Sequence, residues 1–134
     1  MTQSNSPSPV SVKDAILVVD DEAPILDVFR CALEAHFEVF TASSLKQAEA
    51  LLHQRPYKVI ISDHMMPGGN GLSFLVRVRE ECPDAARLLV TGYMKPEMML
   101  RAVNEAAVFR YLVKPVPLAE LVCAVQEAAQ SVSS

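Results

Sequence analysis

Three aspartates indicate the chemistry available to this chain of 134 residues. Asp20 and Asp21 follow an apolar run at residues 15–19, and Asp63 follows another at residues 59–62. Both runs are rich in β-branched residues, and carboxylates at the carboxyl ends of buried strands lie where open α/β sheets bind ligands. Three neighbouring carboxylates repel one another unless a cation joins them, and oxygen ligands favour a hard ion. The pattern therefore predicts a Mg²⁺ site.

Two further polar residues follow predicted strands and would lie at the same edge. Thr91 comes after the fourth apolar run of the chain, and Lys114 comes after the fifth. Beside a metal ion, a carboxylate nucleophile accepts a phosphoryl group through a transition state that needs charge neutralisation and alignment. Lys114 supplies a positive charge and Thr91 a hydroxyl donor. Because the adjacent pair Asp20-Asp21 suits a metal clamp, Asp63 is the predicted nucleophile.

Each of these residues also has a simpler interpretation when it is taken alone. Asp20 and Asp21 fit caps of the following helix, and Asp63 fits an Asx turn at the start of a loop. The segment 68–71 lacks the glycine spacing and the lysine of a P-loop, and we interpret it as a turn. Five polar residues at one predicted edge favour the joint interpretation. The histidines are not spaced as metal ligands and are interpreted as surface residues: His36, His53 and His64.

Strand and helix patterns alternate along the chain. Short apolar runs predict five strands, at residues 15–20, 37–41, 57–62, 87–90 and 109–113. Apolar residues at helical spacing predict five helices, which begin near Pro24, Ser44, Leu72, Pro96 and Pro117. The proline and glycines of residues 63–71 predict a loop without regular structure. Five βα units predict an α/β fold with a doubly wound, mostly parallel sheet that helices cover on both faces.

Composition limits the class of protein. A hydrophobic content of 51% fits one domain, at residues 13–130, between a flexible leader at 1–12 and a tail or linker start at 131–134. The formal net charge is -4 and the 12 Lys and Arg residues are scattered, which argues against direct binding of nucleic acid. No apolar run is long enough to span a membrane, no signal peptide is evident and the cysteines form no CxxC pair. We therefore expect a cytoplasmic protein.

The order and spacing of the motifs resemble those of the receiver domain of bacterial two-component response regulators. The similar segments are residues 16–22, residues 62–67 with Gly71 after them, residues 89–93 and residues 111–115. The resemblance covers nearly all of the chain, from about Lys13 to Gln130. It implies a flavodoxin-like (βα)5 fold with the strand order 2-1-3-4-5.

The resemblance also implies roles for the residues at the sheet edge. Asp63 would accept a phosphoryl group from a phosphohistidine in a sensor histidine kinase or a phosphotransfer protein. Asp20 and Asp21 would hold Mg²⁺ together with Asp63 and the backbone carbonyl of Met65. On this basis the chain is predicted to be a phosphorelay signalling switch and not an enzyme. It would assist its own phosphorylation and dephosphorylation but turn over no external substrate.

Switching residues are implied in the same way. Thr91 and Lys114 would contact the phosphoryl group, and Tyr111 would turn inward when Thr91 moves toward that group. The Lys114–Pro115 bond is expected to be cis. The surface of the fourth helix, fifth strand and fifth helix would change and control a homodimer contact, another partner or an output domain. Four apolar residues are interpreted partly as core and partly as this surface: Met94, Met98, Met99 and Leu100.

Two other functions fit parts of the pattern. A small phosphohydrolase with an aspartate nucleophile needs an acid two residues after Asp63, where Met65 stands. A flavodoxin-like cofactor binder needs a Ser/Thr-rich phosphate loop after the first strand, where Asp20 and Asp21 would repel the cofactor.

Because Met65 and Tyr93 would flank the phosphoryl group and limit the entry of water, we also expect a long-lived aspartyl phosphate.

Overall fold

Five short strands form one parallel sheet in the computed structural model, which describes residues 13–92 and 95–132. The strands are β1 (Ala15–Val19), β2 (Glu38–Ala42), β3 (Val59–Asp63), β4 (Ala86–Thr91) and β5 (Arg110–Val113). They pair in the order β2-β1-β3-β4-β5, and every pair is parallel. The predicted α/β class and the strand order 2-1-3-4-5 are confirmed. The predicted leader at 1–12 and the last two residues of the predicted tail lie outside the described residues.

The central strands are buried on both faces because successive side chains are apolar. In β1, Ile16 and Val18 belong to one hydrophobic core, while Leu17 and Val19 belong to the other. β2 lies at the edge of the sheet, and most of its side chains are half-buried. The burial on two faces explains why unbroken apolar runs marked the central strands in the sequence.

Five helices cover the two faces of the sheet. They are α1 (Ala23–Leu33), α2 (Leu45–Leu52), α3 (Gly71–Glu81), α4 (Pro96–Asn104) and α5 (Leu118–Ser131). α1 and α5 pack on one face, and α2, α3 and α4 pack on the other. Ser44 caps α2 by accepting a hydrogen bond from Gln47 N–H (3.1 Å). α5 includes Ser131, which the sequence assigned to the tail. Within the described ranges no helix is both long and apolar enough to cross a membrane.

The loop after β3 contains more regular structure than the sequence predicted. Met65–Met66 pairs antiparallel with Gly69–Asn70, so the prediction that residues 63–71 lack regular structure was wrong. Pro67 and Gly68 form the tight turn of this hairpin. The φ angle of Gly68 is 82°, which glycine adopts without a steric penalty at the third position of a type II turn.

Candidate functional site

Four strands end at one edge of the sheet, and polar residues converge there. Asp20 follows β1 and Asp63 ends β3. Thr91 ends β4 and Lys114 follows β5. In the register of the sheet Asp63 lies beside Val90, the residue before Thr91. Because Asp20, Asp63 and Thr91 are only 2%, 6% and 1% exposed, their polar groups depend on one another more than on solvent.

The three predicted aspartates form one acidic cluster. Carboxylate oxygens of Asp20, Asp21 and Asp63 all lie within 4.8 Å of one another. Opposite ligands of a six-coordinate Mg²⁺ lie about 4 Å apart, because each bond is about 2.1 Å long. Asp21 is exposed, so the cluster is open to solvent on one side. The donor atoms and their spacing therefore fit a hard divalent cation.

Asp20 is held through its main chain and its side chain. Its N–H donates to Ala42 O (3.1 Å), and its Oδ1 accepts from Glu22 N–H (2.9 Å) just before α1 begins. The second bond resembles the capping role that the sequence allowed for this residue. The other carboxylate oxygen, Oδ2, accepts from Lys114 Nζ (2.9 Å). Asp20 therefore supports the start of α1 and contributes to the cluster at the same time.

Lys114 bridges the two buried carboxylates. Its Nζ lies 2.9 Å from Asp20 Oδ2 and 3.2 Å from Asp63 Oδ2. Burial by itself lowers the pKa of Lys114, but the hydrogen bond and charge of Asp20, together with those of Asp63, outweigh that effect and raise the pKa. Its N–H donates to Thr91 O (2.8 Å), and the Lys114–Pro115 bond is cis, as predicted. Lys114 is thus a fixed positive charge within the cluster.

Asp63 lies where its own negative charge is unfavourable. Burial and the charge of Asp20 raise the pKa of Asp63, and Lys114 and the backbone N–H of His64 oppose the rise only in part. One ammonium group faces three carboxylates, so the cluster retains negative charge that an added cation would neutralise. A carboxylate nucleophile beside a cation site is the arrangement that phosphoryl acceptance requires.

The remaining predicted residues surround this cluster at different depths. Met65 begins the hairpin, and its side chain is 70% exposed. Tyr111 is half-buried and packs against the hydrophobic core beneath α2, α3 and α4. A Cβ added to Gly92 would meet no atom within 4 Å, so there is open space directly after Thr91. Tyr93 lies outside the described residues.

His64 is buried, so its predicted surface position was wrong. Only 9% of the residue is exposed, and its Nδ1 has no hydrogen-bond partner among the described residues. The backbone explains this burial, because His64 N–H donates to the main chain of β4 (2.9 Å) and its carbonyl accepts from Gly71 N–H (2.8 Å). Burial lowers the pKa of His64, although the charge of Asp63 acts in the opposite direction. His36 and His53 are exposed, as predicted.

Gly71 positions the backbone of Asp63, although the sequence marked this glycine only as part of a motif. A Cβ on Gly71 would lie 1.9 Å from Asp63 O and 2.6 Å from Ser62 Oγ. Ser62 Oγ–H in turn donates to Asp63 O (2.9 Å). The first turn of α3 therefore packs directly on the backbone of Asp63. A glycine at the start of a predicted helix was the available signal, but the sequence contains no information on this distance.

Comparison with known proteins agrees with this arrangement. The sequence model of the family described as response regulator receiver domain matches residues 16–126. The hydrogenase transcriptional regulatory protein HoxA of Cupriavidus necator is 40% identical over 116 residues, which are 87% of this chain and 24% of HoxA. The chain thus spans about a quarter of the length of the curated relatives that it matches first.

Solved structures share the fold along most of the chain. The signal receiver domain of an HD domain-containing protein from Pseudomonas fluorescens Pf-5 has a TM-score of 0.85 and 30% identity, and the match covers 90% of this chain and 97% of that one. The beryllofluoride-activated NtrC4 receiver domain dimer has a TM-score of 0.82 and 28% identity, and the match covers 89% and 98%.

Proposed function

Since the chain belongs to the response regulator receiver domain family, we propose that it is a phosphorylation-dependent signalling switch with Asp63 as the phosphoryl acceptor. The observation that carries this proposal is a single cluster in which a buried Asp63 meets two further carboxylates and the ammonium group of Lys114. The cluster has the nucleophile, the cation ligands and the fixed positive charge that phosphoryl transfer needs.

The donor in this proposal is a phosphohistidine of a sensor histidine kinase or a phosphotransfer protein. A carboxylate oxygen of Asp63 attacks the phosphorus, and the O–P bond forms as the N–P bond breaks. The leaving imidazole nitrogen keeps the electron pair and is protonated from solvent. Lys114 Nζ–H and the Thr91 hydroxyl donate to phosphoryl oxygens. Because Lys114 is already fixed beside Asp63, little reorganisation is needed at the transition state.

Mg²⁺ is the cofactor in this proposal, held by Asp20, Asp21, Asp63 and the backbone carbonyl of Met65. When bound, the ion supplies positive charge opposite the phosphoryl oxygens. The chain's own contribution is to keep mutually repelling carboxylates close together. It does so through the hydrogen bonds of Asp20 and through the packing of α3 on the backbone of Asp63.

In this proposal, Thr91 and Tyr111 carry the effect of Asp63 phosphorylation to the rest of the domain. The Thr91 hydroxyl turns toward a phosphoryl oxygen, and the half-buried ring of Tyr111 turns inward. Phosphorylation adds a charge of about -1.5 to -2. That charge acts at a distance only by shifting the balance between two packings of the region formed by α4 and β5.

The output surface that we propose lies on α4, β5 and α5. Exposed apolar side chains of α4 and β5 are Leu100, Val103 and Val113, which are 64%, 56% and 51% exposed, and Phe109, which is 42% exposed, lies just before β5. Leu118 at the start of α5 is 42% exposed. Two ion pairs lie on the same elements, Arg101–Glu105 (3.2 Å) and Arg110–Glu127 (3.0 Å). Met98 is half-buried against the core, and Met94 lies outside the described residues. Leucine and valine therefore form more of this surface than the expected methionines.

A second copy of the chain is the partner that this surface fits best. Self-association through α4, β5 and α5 pairs apolar side chains from both copies and places charged residues around them. The dimeric state in which the activated NtrC4 receiver domain was solved supports this assignment. An output domain is the second candidate partner, because the curated relatives are much longer transcriptional regulators.

The proposal assigns no external substrate to the chain. A small phosphohydrolase is not supported, because the exposed Met65 occupies the position where its second acid is needed. A flavodoxin-like cofactor binder is not supported either, because the acidic cluster follows β1. The reactions of the chain are confined to phosphorylation and dephosphorylation of Asp63.

Acetyl phosphate with Mg²⁺ tests the acceptor. We expect intact-mass spectrometry to show the gain of one phosphoryl group in the wild type. Asp63→Asn should show no gain, and Asp84→Asn, which changes an exposed acid outside the cluster, should behave as the wild type does. Equal phosphorylation of Asp63→Asn and the wild type would refute the assignment.

Analytical ultracentrifugation with beryllofluoride and Mg²⁺ tests the output surface. We expect dimerisation that weakens with salt and is lost in Arg110→Glu. Arg77→Glu reverses an exposed charge on α3 and is the matched control that should still dimerise. A monomer under all activating conditions would exclude the homodimer and leave the output domain as the partner.

Met65→Asn tests the expected long lifetime of the aspartyl phosphate. Asparagine places a polar group at the entrance where the exposed methionine lies, so hydrolysis should become faster. Loss of the phosphoryl group is followed by mass spectrometry after the donor is removed. An unchanged or slower rate in the variant would refute the hypothesis.

A further inference from the structure

Arg87 holds the C-terminal end of α4 through hydrogen bonds to main-chain carbonyls. This arginine lies near the start of β4, and only 9% of it is exposed. Its Nε donates to Ala106 O (2.7 Å), and its two Nη atoms donate to Ala85 O (2.8 Å) and Ala107 O (3.4 Å). The guanidinium group therefore joins the start of β4 to the chain that leaves α4.

Arg79 of α3 extends this contact by two carbonyls. Its Nη1 donates to Asn104 O (3.0 Å) and Glu105 O (3.1 Å). Together the two arginines bind the four successive carbonyls of residues 104–107. In the described part of the chain neither arginine forms an ion pair with a carboxylate. Their positive charges instead meet main-chain carbonyls at and just beyond the C-terminal end of α4, where the helix dipole is negative.

At the N-terminal end of α4, the described residues show no comparable set of hydrogen bonds from side chains to main-chain carbonyls. Lys95 occupies the N-cap position and forms no capping hydrogen bond through its side chain. Lys95, Pro96 and Glu97 are exposed, and Ala102, near the other end, is the only buried residue of α4. Among the described residues the arginine contacts therefore hold only the C-terminal end of α4, and nearer its other end Met98 packs half-buried against the core.

We propose that Arg79 and Arg87 make the C-terminal end of α4 a fixed pivot, about which phosphorylation of Asp63 displaces the N-terminal end. This inference rests on the proposed function and specifies its conformational response. β4 carries Arg87 near its start and Thr91 at its end, and the strand is paired on both sides, with β3 and β5. The pivot and the residue that senses the phosphoryl group therefore belong to one rigid element. A shift at Thr91 reaches the N-terminal end of α4, which follows β4 in the chain. The C-terminal end of α4 stays attached to β4 through Arg87.

The pivot divides the output surface into a moving part and a fixed part. Leu100 lies about midway along α4 and would move with the N-terminal end. Val103 and Phe109 flank the anchored end and would keep their places in both states. Phosphorylation would thus change the distance of Leu100 from Val103 and Phe109, while all three side chains stay exposed in both states.

Residue-resolved amide hydrogen exchange by NMR, with and without beryllofluoride and Mg²⁺, tests the pivot. In the wild type, loading should change protection of the Met99 amide, which donates to Lys95 O. The amides of Glu105, Val108 and Phe109, whose acceptors are Arg101 O, Ala102 O and Arg87 O, should stay the same within about twofold, because the hydrogen bonds that hold this end are not broken.

Substitution of the two arginines should release the anchored end. Arg87→Met should lower protection of the Glu105 and Val108 amides by roughly tenfold without any ligand, and Arg79→Ala by roughly threefold. Arg77→Ala is the matched control, because it removes a second exposed arginine of α3, whose partner is Glu49 of α2. It should leave these amides unchanged. Arg79→Ala keeps the test decisive if Arg87→Met fails to fold.

The outcomes separate the pivot from the proposed function. Beryllofluoride binding with equal changes at Met99 and at Val108 would overturn the pivot and leave the proposed function standing. Unchanged protection of the Glu105 and Val108 amides in Arg79→Ala would also overturn the pivot and leave the proposed function standing. Failure of the wild type to bind beryllofluoride would overturn the proposed function, and the pivot as a response to phosphorylation with it.

Discussion

The acidic cluster at the sheet edge and the helix α4 are held by different kinds of interaction. Asp20 and Asp63 are buried at the ends of central strands and share one ammonium group. α4 buries a single residue, Ala102, and its C-terminal end is held by arginines that bind the carbonyls of residues 104–107. Chemistry on the phosphoryl group needs fixed atoms, whereas a response needs an element whose alternative positions differ little in free energy.

α5 belongs to the same output surface but buries more of its residues than α4 does. Its buried residues are Leu121, Ala124, Val125, Ala128 and Ala129. The two helices that flank β5, α4 and α5, thus differ in how many apolar residues they bury. We infer that motion within this surface is concentrated in α4, and substitutions in the two regions should therefore differ in their effects.

The largest effect that we expect comes from Gly71→Ala. The new Cβ would lie 1.9 Å from Asp63 O, and backbone atoms cannot turn aside, so the free energy of unfolding should fall by about 3 kcal/mol or more. Gly92→Ala is the matched control at the other side of the edge, where a Cβ meets nothing within 4 Å. It should change stability by less than about 0.5 kcal/mol.

Urea unfolding and acetyl phosphate labelling measure both consequences of the Gly71 substitution. If the molecule still folds, Asp63 is displaced and labelling should be slower than in Gly92→Ala. Equal stability of the two variants would contradict the tight packing of α3 on Asp63.

The second prediction compares α5 with α4. Leu121→Ala removes a side chain with 0% exposure and should cost about 3 kcal/mol, because it leaves a cavity. Leu100→Ala removes a side chain that is 64% exposed and should cost less than about 0.5 kcal/mol. Thermal and urea unfolding give both values. A large loss in Leu100→Ala would show that α4 is packed more firmly than its burial indicates.

The sequence predicted those parts of the fold and site that depend on residue type and order. Apolar runs located the five strands, and residues at the strand ends located the cluster, because parallel strands end at one edge. The strand order and the cis bond before Pro115 came from the resemblance. Periodicity alone specifies neither of them.

The features that the sequence did not predict arise from tertiary distances. His64 follows a strand end and looked like a loop residue, but two main-chain hydrogen bonds draw it inward. Arg87 looked like an ordinary charge at the start of a strand. Its burial depends on carbonyls about twenty residues further along the chain. The hairpin after β3 depends on a two-residue turn at Pro67 and Gly68. In the sequence, the glycines of this segment were interpreted as a loop without regular structure.

The third prediction concerns the charge of Asp63 and its pH dependence. Burial and Asp20 raise the pKa of Asp63 above its ordinary 3.8. Between 3.8 and the raised value the folded state binds more protons than the unfolded state, so stability falls as pH rises through that window. Asp63→Asn does not titrate and lacks this fall. In the presence of a chelator it should be more stable than the wild type at neutral pH, and the difference should shrink as pH falls through the window.

Unfolding free energies measured across this pH range decide the point. Asp84→Asn, an exposed acid, should show no comparable gain. Added Mg²⁺ should stabilise the wild type and narrow the difference at neutral pH. A less stable Asp63→Asn at neutral pH would mean that the ion pair with Lys114 outweighs burial and the repulsion by Asp20.

The smallest effect that we expect lies at the anchored end of α4. Ala107 has φ 47°, which costs an L-residue about 1–2 kcal/mol, whereas glycine pays only about 0.5–1 kcal/mol of conformational entropy. Ala107→Gly should therefore stabilise the protein by about 0.5 kcal/mol, a small rise in melting temperature. Ala106→Gly is the matched control, because Ala106 is fully buried without a positive φ, and it should destabilise instead. If both variants lose stability equally, the turn that Arg87 holds is not left-handed in solution. A gain only at Ala107 would show that the hydrogen bonds of Arg87 keep this turn in place against its own backbone preference, in addition to the burial of Ala102 and Ala106 at the same end of α4.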